Sequence, residues 1–252
     1  INRLYVTDWF TDAFEYSWNG SLWDEQYVGR GETVVRAIDV GDGHNDGTNR
    51  VYFGGGAWCD HINNLFEAVW NGSSWDTEVI AELPIIQKIK LGQGRNDGIN
   101  RIYVSGTYCE YYYGETLYGA VHELSWNGSN YDKTLLGSNL NTTMNIVIGP
   151  GRNDGFNRVY VGSKNDNLYE FTWTGSSWTK NVVENLGCDV YGVAVGDARN
   201  DGISRLYCGC QDGYIYEFTW TGSSWTKIDI QVGSNAISDL TIGDARNDGK
   251  NR

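Results

Sequence analysis

Short runs that alternate apolar and polar residues recur along the whole chain, separated by glycine-rich turns. The stretch 205–230 shows the pattern most plainly. An apolar run at 205–210 meets Asp212-Gly213, a hairpin turn signal, and a second run follows at 214–220. Thr221-Gly222-Ser223-Ser224 then turns the chain into a third run at 225–230. A fourth kind of run ends in glycine, as at 237–243, and leads into Asn247-Asp248-Gly249. No segment keeps a helical period over three turns, so the pattern predicts an all-β chain.

These runs are parts of one repeat. The signature Asn-Asp-Gly-x-Asn/Ser-Arg, followed by apolar-Tyr-apolar, occurs at 45–53, 96–104, 153–161 and 200–208. The chain starts on Asn2-Arg3-Leu4-Tyr5-Val6 and ends on Asn247-Asp248-Gly249-Lys250-Asn251-Arg252. Successive arginines at 3, 50, 101, 158, 205 and 252 lie 47, 51, 57, 47 and 47 residues apart. A second signature, Glu-x-x-Trp-Asn/Thr-Gly-Ser, begins at Glu15, Glu67, Glu123, Glu170 and Glu217, and a further aromatic follows at Trp23, Trp75, Tyr131, Trp178 and Trp225. Four short strands per repeat of this length predict a five-bladed β-propeller with four antiparallel strands per blade. The expected domain is 1–252, with repeats near 3–49, 50–100, 101–157, 158–204 and 205–252. In this reading the N-terminus supplies strands B, C and D of one blade, and 237–243 joins them as strand A to close the ring. An opening within a repeat predicts a mature product or an excised domain.

Composition narrows the partners. Aromatics make up 14% of the residues, with 11 Trp and 17 Tyr, which excludes a disordered chain. The net charge of −13 argues against a phosphate-neutralising surface, so nucleic acid is not an expected partner. No apolar run approaches the roughly 20 residues that a membrane helix needs, so membrane insertion is not expected.

The repeat breaks in two places. From the repeat arginine to the Trp of the second signature is 15 residues in three copies, 20 in the second and 25 in the third. The extra residues fall in the B–C hairpins of neighbouring copies. They predict one asymmetric ligand patch of Trp58, Asp60, His61, Tyr108, Glu110, Tyr111, Tyr112 and Tyr113. Aromatic faces beside hydrogen-bonding acids suit a sugar or a protein surface. The structural alternative is two long hairpins packed on each other.

Five cysteines are present, and none form a Cys-x-x-Cys pattern. Cys59 and Cys109 hold equivalent places in the two long hairpins, a candidate disulfide. If 188–195 pairs with the strand after its loop, Cys188 falls opposite Cys210 as a second candidate, leaving Cys208 over. Two disulfides would fit an extracellular or cell-surface site.

The loop Gly243-Asp244-Ala245-Arg246-Asn247-Asp248-Gly249-Lys250-Asn251-Arg252 resembles the calcium loop of the FG-GAP/VCBS repeat families, Asp-x-Asp/Asn-x-Asp-Gly-x-x-Asp after a glycine. The resemblance covers about ten residues in every copy and implies propeller blades, calcium and extracellular use. The third position departs from it, being His44, Arg95, Arg152, Arg199 and Arg246, as does the ninth, being Arg50, Arg101, Arg158, Arg205 and Arg252. The first position is Asp42, Gln93, Pro150, Asp197 and Asp244. Calcium takes six to eight oxygen ligands, whereas a guanidinium only donates. The expectation is therefore no cofactor, with each ninth-position arginine bridging Asp46, Asp97, Asp154, Asp201 or Asp248 of its own loop. Calcium at these loops is the alternative.

Other constellations read as structural. Five equal copies of the strand-C glutamate do not make the paired, unequal carboxylates of a glycosidase, and predict partners for Arg or Tyr. With a two-residue turn at Asp212-Gly213, Arg205 would face Trp220 and Tyr207 would face Phe218. Asn19, Asn71, Asn127 and Asn141 head formal glycosylation sequons, although Thr-Gly at the equivalent turns of the last two copies favours a turn role. The expected function is a non-catalytic binding propeller, lectin-like or adhesive, and its layout is similar to the tachylectin-2 type of lectin. The alternative is a protein-interaction scaffold of a larger secreted or surface protein, and a glycoside hydrolase is the weakest reading. The expected partner is a glycan or a surface protein.

Overall fold

The computed structural model describes residues 3–8, 10–56, 63–110 and 116–252, with the backbone alone at 109, 110, 116 and 117. Among them there are nineteen strands and no helix. The first sheet holds β1 (Arg3–Thr7), β2 (Asp12–Trp18) and β3 (Trp23–Arg30). The second holds β4 (Val35–Gly41), β5 (Arg50–Gly55), β6 (Asn63–Trp70) and β7 (Trp75–Leu83). The third holds β8 (Ile85–Gly92), β9 (Arg101–Glu110), β10 (Thr116–Trp126) and β11 (Tyr131–Gly137). The fourth holds β12 (Thr143–Gly149), β13 (Arg158–Ser163), β14 (Asn167–Trp173) and β15 (Trp178–Asn185). The fifth holds β16 (Val190–Gly196), β17 (Arg205–Cys210), β18 (Tyr214–Trp220) and β19 (Trp225–Gln231). Each four-stranded sheet is a meander in chain order.

Sequence and position in the sheet agree. The second strand of a blade is flanked on both sides, so β5, β13 and β17 are buried along their whole length and read as near-continuous apolar runs. The last strand is an edge, so β15 carries Thr, Lys, Asn and Glu and β19 carries Thr, Lys, Asp and Gln, and both stay largely exposed. At the tip between third and fourth strands, Asn71 Oδ1 accepts the amides of Ser73 and Ser74, both at 2.9 Å, and Gly72 takes a left-handed φ of 104°. Thr174 and Thr221 replace this cap with a hydroxyl that accepts one amide each. The Trp pairs flanking the turn, such as Trp220 and Trp225 at 5.2 Å between ring centroids, pack across the strands.

The chain divides into two compact units, 1–91 with 100–135 and 92–99 with 136–252. In the first, Tyr52, Leu65, Ile86, Ile89, Ile102 and Leu124 form one core, and Val51, Phe53, Phe66 and Ala68 belong to another. In the second, Tyr160, Leu168, Val190, Val193, Leu206 and Phe218 pack together with all three of its cysteines.

Two expectations are corrected here. The closed five-bladed ring required 237–243 as the fourth strand of the first blade, but that sheet has three strands and 236–248 carries no strand. The apolar positions of the segment are spent on its own unit. Ile237 lies over Gly209, Asp239 against Gly192 and Ile242 over Gly196, where the missing side chains allow close approach. Packing of this kind satisfies the apolar alternation without a hydrogen-bonded ladder. The second correction concerns the β17–β18 hairpin, which pairs Leu206 with Phe218 and Tyr207 with Glu217. Its loop is three residues long, 211–213, with Gly213 at a φ of 84° and Asp212 Oδ1 accepting the Tyr214 amide at 3.0 Å. That extra residue slips the register, so Arg205 Nε donates to Thr219 Oγ1 at 3.1 Å and does not cover Trp220.

Candidate functional site

The repeated loop is built from its own short spacing. Asp42 accepts the amides of Asp46 and Gly47 at 3.1 and 2.7 Å, and Asp197 and Asp244 do the same for Asp201 with Gly202 and Asp248 with Gly249. The arginine then closes the loop through a two-pronged contact. Arg50 reaches Asp46 at 3.0 and 2.8 Å, Arg158 reaches Asp154 at 2.9 and 2.6 Å, Arg205 reaches Asp201 at 2.8 and 2.7 Å, and Arg252 reaches Asp248 at 3.1 and 2.8 Å. These guanidinium contacts hold the carboxyl groups of Asp46, Asp154 and Asp248 below the usual range and that of Asp201 at about 2. Both oxygens of each carboxylate are already occupied by cationic donors.

The asparagine of the motif has a separate task. Asn153 sits at a left-handed φ of 56°, its Oδ1 accepts the Ser204 amide at 2.7 Å, and its Nδ2 donates to the Ser204 carbonyl at 2.6 Å. The same reciprocal clasp joins Asn45 to Asn100, Asn96 to Asn157 and Asn200 to Asn251.

The third-position residue makes the site. Arg152 forms a bidentate pair with the fully buried Glu170, with Nε to Oε2 at 2.8 Å, and its guanidinium carbon lies 4.0 Å from the centroid of the Trp220 ring. Arg95 stacks in the same way on Trp173 at 4.0 Å. His44 replaces the arginine in its copy, lying parallel to Trp126 at 3.7 Å with Nε2 3.1 Å from Glu67 Oε2. Glu67 also accepts from the Tyr131 hydroxyl at 2.6 Å, while burial and this contact push the tyrosine hydroxyl far above its ordinary range. In the fifth blade Arg199 holds Glu217 with Nε at 2.9 Å, yet 46% of the arginine side chain is exposed while the glutamate is buried. Tyr207 lies beside them, its hydroxyl pushed up to about 12 by burial and then by Glu217. The Arg199 guanidinium is thus half exposed above a buried carboxylate, whereas Arg152, its counterpart on Glu170, lies against the Trp220 indole.

Sequence reasoning expected Arg or Tyr partners for the strand-C glutamates, and the structure supplies both, but it took the third-position arginines only as departures from a calcium loop and did not single them out as those partners. The signal available was that cation, acid and Trp all recur with the same period.

Of the predicted hairpin patch, Tyr108 is described, with its ring 6.5 Å from that of His122 and about two-fifths of its surface exposed. Trp58, Asp60, His61, Tyr111, Tyr112, Tyr113 and Cys59, with the side chains of Glu110 and Cys109, lie outside the described residues. The third-copy insertion lengthens its hairpin, and the ladder runs out to Glu110 opposite Thr116. At the base of the second hairpin a small polar cleft is lined by Glu32, Thr33, Asn63, Asn64 and Phe66, with Asn64 Nδ2 donating to Glu32 at 2.6 Å. Cys188 and Cys210 form a disulfide with Cα atoms 6.0 Å apart, and Cys208 is free and buried.

No known protein family matches the chain, and no curated protein matches it. Among solved structures it is similar to a point mutant of Aleuria aurantia lectin in complex with Fucalpha1-6GlcNAc, at 20% identity over 95% of this chain and 79% of that one, with a TM-score of 0.51. It is also similar to the same fungal lectin described as a six-bladed β-propeller with a novel fucose recognition mode, at 19% identity over 95% and 78% of the two chains, with a TM-score of 0.51. By this likeness the sheets are propeller blades. At such identity the likeness speaks for the fold alone.

Proposed function

We propose that the chain is a non-catalytic carbohydrate-binding module of β-propeller blades, and that the half-exposed Arg199 guanidinium, held in place by the buried Glu217, contacts the sugar. The observation that carries this reading is the half-exposed guanidinium fixed on a buried carboxylate. The hydroxyl oxygens of a pyranose accept hydrogen bonds, which suits a donor fork fixed in place by a buried carboxylate. The repeated glutamates are held in ion pairs or tyrosine hydrogen bonds, an arrangement suited to holding a ligand and not to proton transfer. Similarity to lectins crystallised with fucosides supports the sugar class. A second placement is the patch that the sequence predicts, Trp58, Asp60, His61, Tyr108, Glu110, Tyr111, Tyr112 and Tyr113, and the polar cleft lined by Glu32, Asn63 and Asn64 supports it. An extracellular or cell-surface location goes with this function, supported by the Cys188–Cys210 disulfide.

A glycan array followed by calorimetry with methyl α-L-fucoside tests the reading. Saturable binding that weakens at least tenfold in Arg199→Ala supports the fifth-blade site. Binding kept in Arg199→Ala but lost in Trp58→Ala moves the site to the hairpins. No signal on any glycan removes the carbohydrate reading.

A further inference from the structure

The fifth blade carries a second group of donor atoms, away from Arg199 and Glu217 in the β17–β18 sheet. We propose that two-electron reduction of the Cys188–Cys210 disulfide by a dithiol or phosphine creates a zinc site made of both thiolates and the Asp212 carboxylate. One donor atom from each of these three residues lies within 4.8 Å of the others. A tetrahedral zinc with two sulfurs and an oxygen needs donor separations of about 3.6–3.8 Å, within reach of small side-chain rotations.

The donors stay together without the S–S bond because the backbone holds them independently. Val190 is paired with Cys210 in the ladder, the Gln211 amide donates to the Asp189 carbonyl at 3.0 Å, and the Ile237 amide donates to the Cys210 carbonyl at 3.0 Å. Asp212 is oriented as well, since the Tyr216 hydroxyl donates to its Oδ2 at 2.6 Å and the Tyr214 amide to its Oδ1 at 3.0 Å. Both sulfurs are buried and Asp212 is exposed, so an ion reaches the site from the turn and keeps a water as fourth ligand. Two soft sulfurs with one carboxylate select zinc over calcium or magnesium.

The chemistry balances. A dithiol gives the disulfide two electrons and two protons and closes to a disulfide itself, whereas a phosphine gives the two electrons and becomes the phosphine oxide, with water supplying its oxygen and both protons; zinc then displaces two protons from the resulting thiols. The oxidised protein has no thiolate to offer and holds no ion there.

The test uses the full chain carrying Cys59→Ser and Cys109→Ser, so that no other disulfide is opened, reduced with a phosphine, freed of excess reagent and titrated with Zn2+ and with Co2+. The expected result is one equivalent of zinc per reduced chain, none per oxidised chain, and a sulfur-to-cobalt charge-transfer band. Cys210→Ser abolishes the band, Cys208→Ser leaves it, and Asp212→Asn, which keeps the disulfide and lies on the surface, weakens zinc binding by roughly tenfold or more. Circular dichroism after reduction accompanies each titration. A reduced chain that is folded but binds no zinc, or that loses its fold, overturns the proposal. Equal binding by oxidised protein, or by Cys210→Ser and Asp212→Asn, does so too.

Discussion

Replacing Glu170 by glutamine separates the two versions of the acid–cation pair. Glu170 is fully buried and receives both prongs of Arg152, whose side chain is only 22% exposed beneath Trp220. Removing one partner of a buried pair costs about 3–5 kcal/mol, chiefly because the other charge is left without compensation. The carboxamide of Glu170→Gln would still accept one hydrogen bond, and Arg158 keeps its contact with Asp154, which brings the expected loss to about 2–4 kcal/mol. The equivalent Glu217→Gln frees Arg199, which is 46% exposed and returns to water, so its cost is about 1–2 kcal/mol. For a chain of this size each kcal/mol shifts Tm by about 2–4 °C, giving a drop of about 4–16 °C against about 2–8 °C. Thermal unfolding followed by tryptophan fluorescence and by circular dichroism reads the difference. Equal losses, or a larger loss for Glu217→Gln, would refute the claim that Trp220 and burial seal the fourth-blade pair while the fifth stays open.

Calcium should leave the chain unchanged, because Arg50, Arg158, Arg205 and Arg252 already occupy the loop carboxylates. A Tm that moves by more than a degree or two between millimolar calcium and a chelator, or calorimetric binding at several sites, contradicts that occupancy. Acid should loosen the loops in a defined window. The carboxyls of Asp46, Asp154, Asp201 and Asp248 titrate below their unfolded values, so their contribution is complete above about pH 4 and is lost as pH falls toward about 2. Asp201→Asn should flatten the fall in Tm between about pH 5 and about pH 2, and an unchanged slope counts against the pairing. Asn153→Ala should cost about 1–2 kcal/mol by losing both bonds to Ser204 and by forcing Ala into a left-handed φ, and Asn153→Gly should recover part of that in urea unfolding.

Much of the blade was legible because its causes are local. The turn at Asn71-Gly72 and the contact of Arg158 with Asp154 each involve residues at most four positions apart, and a repeated spacing displays such geometry five times over. Other features were not legible, for identifiable reasons. Arg152 meets Trp220 sixty-eight positions on, a pairing set by how sheets within one unit pack and not by any short motif. The hairpin at 211–213 holds one residue more than Asp-Gly alone suggests, and that single residue moves Arg205 from Trp220 to Thr219. The apolar alternation at 237–243 reads as a strand, yet the same alternation is satisfied by seating Ile237 and Ile242 over glycines. Periodicity reports which side chains avoid water and leaves open whether the backbone pairs. The site followed the same division: each arginine and glutamate was visible as a recurring residue, while the indole that covers one pair and leaves another open came from tertiary packing.

The most direct measurement is the electron density of a crystal soaked in methyl α-L-fucoside. A sugar ring is expected in the fifth blade, with its hydroxyls on the exposed Arg199 guanidinium. An Arg199–Glu217 pair still bare at a saturating concentration, with sugar bound elsewhere or nowhere, would contradict the fifth-blade site.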